Sequence, residues 1–128
     1  MGANRFPFGV VKLPERLETA VKLTYMEHAE QDVILRAAYH GIKTQGALLF
    51  CPWFACADCA RAIIGAGIAT VIGHKQMMEK TPERWQSAID AADVMLDEAG
   101  VKRYYYDGPI FDESENFSIL FNGETWNP

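Results

Sequence analysis

At 128 residues, 49% of them hydrophobic, the chain has room for one domain, 1–128, around one core, which excludes a two-domain arrangement. A net charge of −5 sets its summed field against polyanions. Long nucleic acid is thereby disfavoured, whereas a mononucleotide stays acceptable because two or three local positive groups hold one phosphate.

No apolar run approaches the roughly 20 residues of a membrane span, and residues 1–7 lack the layout of a secretory signal, so the cytoplasm is the expected location. Asn4, Phe6, Pro7, Phe8 and Gly9 read as a loop. Pro14 suits the first turn of a short helix over 15–23, followed by a break at 24–27. From His28 to about His40 the residues Val33, Ile34, Ala37 and Ala38 fall at helical spacing, with Gly41 as the stop. His28 and Glu30 then lie in the first turn. Residues 47–51 form a continuous apolar run, the pattern of a strand buried on both faces, and Pro52 ends it.

A second helix is expected from Cys56 to about Ala66, with Ala60, Ile63 and Ile64 inward and Gly67 as its stop. Cys56 and Cys59, three apart, share one face of its first turn. A strand over 68–73 and a polar stretch through Lys80 follow. Thr81-Pro82-Glu83 reads as a helix cap, and Trp85, Ile89, Ala92, Met95 and Leu96 make a core stripe ending near Gly100. Residues 101–106 should be a strand and 117–121 a further short one. Such alternation argues for a layered α/β domain with parallel strands in part of its sheet.

Three cysteines, two of them in C-x-x-C, fit metal binding in a reducing compartment better than a disulfide framework. His28, Cys56 and Cys59 can supply three ligands to Zn²⁺ and leave a fourth tetrahedral position for water, a catalytic rather than a structural count. Glu30, two residues after the histidine, can bring its carboxylate beside that position and carry protons. H-x-E followed by C-x-x-C is the signature of zinc-dependent nucleobase deaminases. Elsewhere Cys51 is expected in the core, and His40 and His74 at the surface or a helix end. Asp112, Glu113 and Glu115 read as a solvated loop. Trp53 or Phe54 would wall the base, and Arg5, Lys12 or Lys75 would meet a 5′ phosphate.

From Gly2 to about Tyr106 these residues resemble the cytidine and deoxycytidylate deaminase superfamily. Asn4-Arg5-Phe6-Pro7-Phe8-Gly9 is similar to its N-G-F-P-x-G loop, and the segment from Tyr25 to Glu30 to the entry into its catalytic helix. The resemblance implies a three-layer α/β/α sandwich around a five-stranded mixed sheet, one Zn²⁺ per site, and a homo-oligomer. It implies conversion of dCMP to dUMP and ammonia, with Asn4 on the sugar and the backbone of Ala29 on the base. Alternatives are a deaminase of another nucleoside or of nucleic-acid bases, and a zinc-stabilised interaction domain without turnover. Two departures stand out. Ala55 replaces the family's proline before the first cysteine, and the chain lacks the family's N-terminal helix and first strand. Such a shortened sheet should expose ladder groups and apolar surface.

Overall fold

The structure, a computed structural model, describes residues 1–53, 55–110, 119–121 and 124–126. A 3-10 turn, Pro14–Leu17, leads to α1 (Thr19–Tyr25) and α2 (Ala29–Tyr39). There follow β1 (Leu48–Phe50), α3 (Ala57–Gly65), β2 (Thr70–His74), α4 (Lys75–Glu79), α5 (Glu83–Glu98) and β3 (Lys102–Tyr106). The short strands β4 (Ile119–Phe121) and β5 (Glu124–Trp126) pair with each other.

The helix expected over 15–23 is divided. Glu18, extended at φ −63° and ψ 139°, separates the 3-10 turn from α1, which runs two residues further than expected. Helices α3 and α5 pass into strands by one device. Gly67 and Gly100 adopt φ of 69° and 73°, a left-handed conformation that costs glycine little. Ile68 N–H then bonds back to Ile63 O, and Val101 N–H to Leu96 O, so each helix end is satisfied as the chain reverses. The apolar residues just beyond the two glycines, Ile68 and Val101, enter the core.

The sheet is β1-β2-β3, all parallel, and the α/β class expected from the alternation is the one adopted. Among the described residues it has three strands rather than the five of the mixed sheet, and the antiparallel pair β4-β5 stands as a separate sheet. One side of the sheet, carrying Leu49 and Val71, packs with α3 and α5 on a core of Cys51, Ala55, Cys59, Ala60, Ile63, Ile68, Ala92, Leu96 and Val101. Arg103, on the same side, is held between Asp93 and Asp97 of α5. No described helix is long and apolar enough to cross a membrane.

The other side departs from expectation. Residues 47–51 read as buried on both faces, yet Leu48 is 59% and Phe50 46% exposed, with Tyr104 56% exposed in register beside Phe50 and Ile72. An apolar run reports what a strand can bury, not whether a neighbour covers it. Among the described residues β1 pairs only with β2, so its outer edge carries no partner strand there. Leu48→Thr and Tyr104→Thr should each cost less than about 1 kcal/mol in urea unfolding, against about 2–5 kcal/mol for Ile63→Ala. A core-sized loss at Leu48 would mean that this face is covered in solution.

Candidate functional site

Two helix starts meet here. His28 occupies the N-cap position of α2 (φ −76°, ψ 154°) and Cys56 that of α3 (φ −72°, ψ 173°), each one residue outside the helix that the spacing placed it in. Their carbonyls already accept the first helical bonds, from Asp32 N–H and Ala60 N–H. Cys59 falls in the first turn of α3 and is fully buried.

His28 Nδ1 lies 3.4 Å from Cys56 Sγ and 3.4 Å from Cys59 Sγ, and the three ligand atoms all lie within 4.8 Å of one another. Zinc bond lengths of about 2.0 Å to nitrogen and 2.3 Å to sulfur, at a tetrahedral angle, require a nitrogen–sulfur separation of roughly 3.6 Å. The donor set and its spacing therefore fit that ion. The ionisation of the cluster points the same way. A hydrogen bond from the Cys59 thiol pulls Cys56 down to about 3, aided by His28, while that same bond and burial push Cys59 up. The bond to Cys56 raises His28 as well. The trio thus holds a thiolate beside an imidazole poised to be cationic, and a metal ion can replace its protons.

Glu30, in the first turn of α2, is buried, and burial raises its carboxyl above the usual range. Cys51, in the core as expected, sits against it, with Sγ 2.9 Å from the carbonyl oxygen of Trp53. Trp53 is half-buried and donates its indole N–H to Thr81 Oγ1 at 2.9 Å, which ties it to the turn before α5. Phe54 and the acidic residues Asp112, Glu113 and Glu115 lie outside the described residues.

Several expectations are revised. At Ala29, whose backbone the resemblance places on the base, the N–H donates to Asn4 Oδ1 at 2.9 Å, because the first amides of a helix need acceptors from outside it. Arg5 is paired with Asp32 and Lys75 with Asp107. His74 stands at a helix end, the N-cap position of α4, as one of its two expected places, but it is buried rather than at the surface, with Nε2 2.7 Å from Gly108 O. Trp85, expected only as core, is half-buried with its ring edge-on to His28 at 6.2 Å. Nothing in local spacing pairs those two rings.

A histidine and two cysteines on two helix starts, with a buried carboxylate two residues beyond the histidine, are the arrangement of a deaminase site in an α/β domain. The sequence pattern of the MafB19-like deaminase family matches residues 8–100, and the chain belongs to that family. It is similar to ComE operon protein 2 of Bacillus subtilis (strain 168), 41% identical over 44 residues, which is 34% of this chain and 23% of that protein. By sequence it thus spans less than a quarter of that relative. The dCMP deaminase of the cyanophage S-TIM5, solved with dCMP and dUMP, superimposes with a TM-score of 0.60 at 25% identity, covering 82% of this chain and 70% of that one. Its apo form gives 0.55 at 22% identity over 82% and 68%, a likeness of fold.

Proposed function

We propose that this deaminase hydrolyses the exocyclic amine of a cytosine nucleotide, dCMP to dUMP and ammonia, with zinc held by His28, Cys56 and Cys59. The observation that carries the reading is the 3.4 Å spacing of His28 Nδ1 from both sulfurs, at helix starts that also present Glu30. The likeness to a dCMP deaminase solved with its nucleotides supports the choice of substrate.

Bound there, zinc would supply Lewis acidity that brings the ionisation of water to roughly neutral pH. Glu30 takes the proton of the attacking water and delivers it to N3 of the ring as oxygen joins C4. It then carries the second proton to the departing amine, which leaves as ammonia, and C4 keeps the oxygen as a carbonyl. Burial suits Glu30 to both roles, since a carboxyl held above its usual range is the stronger base toward water in the first half and is more readily kept protonated for the second. The half-buried indoles of Trp53 and Trp85 exclude water around the ring. Asn4, with Oδ1 on Ala29, offers the hydrogens of Nδ2 to the sugar. A cytoplasmic homo-oligomer belongs to the same reading, the open edge of β1 being available for pairing.

Ammonia release from a panel of dCMP, CMP, deoxycytidine, cytidine, adenosine nucleotides and cytosine-containing oligonucleotides tests it. The zinc-loaded protein should use dCMP with kcat/KM at least tenfold above the rest, about 1.4 kcal/mol of discrimination. Preference for an oligonucleotide would assign the chemistry to nucleic acid instead, and zinc binding with no turnover would make the chain an interaction domain.

A further inference from the structure

Asp32 has no part in the chemistry above, yet it is the most deeply buried carboxylate among the described residues, its side chain 1% exposed. It lies one helical turn beyond His28. Its own N–H donates to His28 O at 2.9 Å, while its side chain reaches out of the helix to the N-terminal segment, residues 3–5. Oδ2 accepts Ala3 N–H at 3.0 Å, and Oδ1 accepts Arg5 Nε at 2.7 Å together with a second bond from the same guanidinium. Between those two anchors sits Asn4, whose Oδ1 takes Ala29 N–H.

The surroundings leave that segment little freedom. Arg5 and Glu27 exchange both backbone hydrogen bonds, at 3.1 and 2.8 Å. Gly2 lies so close to α2 that a Cβ there would fall 2.0 Å from Ala29 O. Of these contacts only the Asp32 carboxylate grips the chain on both sides of Asn4. A buried carboxylate is costly without partners, so its burial and the docking of residues 3–5 are mutually dependent.

We propose that Asp32 is a positioning residue, which sets the Asn4 side chain against the helix start that carries His28 and Glu30 and thereby fixes the nucleotide's sugar relative to the reacting carbon. Arg5 serves this anchor. The effect on catalysis rests on the deaminase reading, whereas the effect on Ala29 does not.

The test compares zinc-loaded wild type with Asp32→Ala, Asp32→Asn, Arg5→Met and Asn4→Ala. Asp32→Ala should raise KM for dCMP about tenfold to thirtyfold, the loss expected when charge-assisted bonds to a substrate-contacting loop are removed, with kcat within threefold and one zinc per chain. Asp32→Asn, which keeps one acceptor oxygen and the volume, should recover most of that KM. Adding Asn4→Ala to Asp32→Ala should change KM no further, because both act through one contact. By hydrogen exchange, Ala29 N–H should exchange at least tenfold faster in Asp32→Ala and in Arg5→Met, while amides in the last turn of α2 keep their protection. Arg5→Met leaves the helix untouched and decides the matter if Asp32→Ala does not fold. Unchanged Ala29 exchange, or a loss confined to kcat, would overturn the proposal. A wild type with no turnover would sink the deaminase reading, and the Ala29 exchange would still decide on Asp32.

Discussion

Replacing Glu30 with glutamine is expected to lower kcat for dCMP by about 10³-fold, within the 10²–10⁴ that a positioned acid–base group contributes, while one zinc per chain is retained. Glutamine has the same shape and occupies the same helical position, so His28, Cys56 and Cys59 keep their spacing. What disappears is the ability to accept a proton from water and return it to N3 and the amine. In barrier terms the loss is about 4 kcal/mol, at 1.36 kcal/mol per decade.

Stability moves the other way. Glu30 is 8% exposed, and burial disfavours its charged form, so a neutral isostere should melt no lower than wild type. The two readouts together separate roles. Lost turnover with an unchanged or higher midpoint identifies a proton carrier; lost turnover with a lower midpoint and lost zinc identifies a structural glutamate. Turnover within tenfold of wild type would remove Glu30 from the mechanism.

The clustering of the candidate site was readable in the sequence because it is local. C-x-x-C spans the N-cap position and first turn of one helix, H-x-E the same part of another, and each pattern needs only a helix start to become geometry. Gly67 and Gly100 were readable as stops for the same reason. Contacts between distant segments were not. Arg5 meets Asp32 across 27 positions, and Trp85 on α5 meets His28 before α2, and neither pairing leaves a periodic trace.

Helix α4 escaped because five residues, Lys75–Glu79, are too few to show a period and too polar to suggest burial, although Met77 reaches the interior. Strand β5, three residues long, escaped likewise. The open face of the sheet is a different case. Leu48 and Phe50 are what a doubly covered parallel strand requires, and only the arrangement of other elements determines whether the cover is present.

Removing the metal should have the second large effect, on stability as well as on rate. A ligand bound only by the folded state stabilises it by about 4 kcal/mol when its free concentration is a thousandfold above its dissociation constant, so EDTA should lower the thermal midpoint by roughly 10–15 °C for a chain of this size. The physical reason lies in what the empty cluster must hold. Cys56 sits near 3 and Cys59 well above its ordinary value, so the pair retains one thiolate beside His28 within a half-buried site. A zinc ion held by His28, Cys56 and Cys59 would favour the thiolate form of both sulfurs.

Cys59→Ala isolates the contribution. Cys59 is completely buried, and losing its sulfur from the core should by itself cost about 1 kcal/mol. The variant should nevertheless fall close to the EDTA-treated wild type, bind zinc poorly, release no ammonia, and be indifferent to further EDTA. Cys51→Ala is the matched control, since that cysteine is also buried but is not one of the three clustered ligands, and it should keep both the metal and its response to chelation. A wild type whose midpoint and turnover both ignore EDTA would reduce the cluster to a packing contact between two thiols and an imidazole, leaving Glu30 with no activated water from which to take a proton.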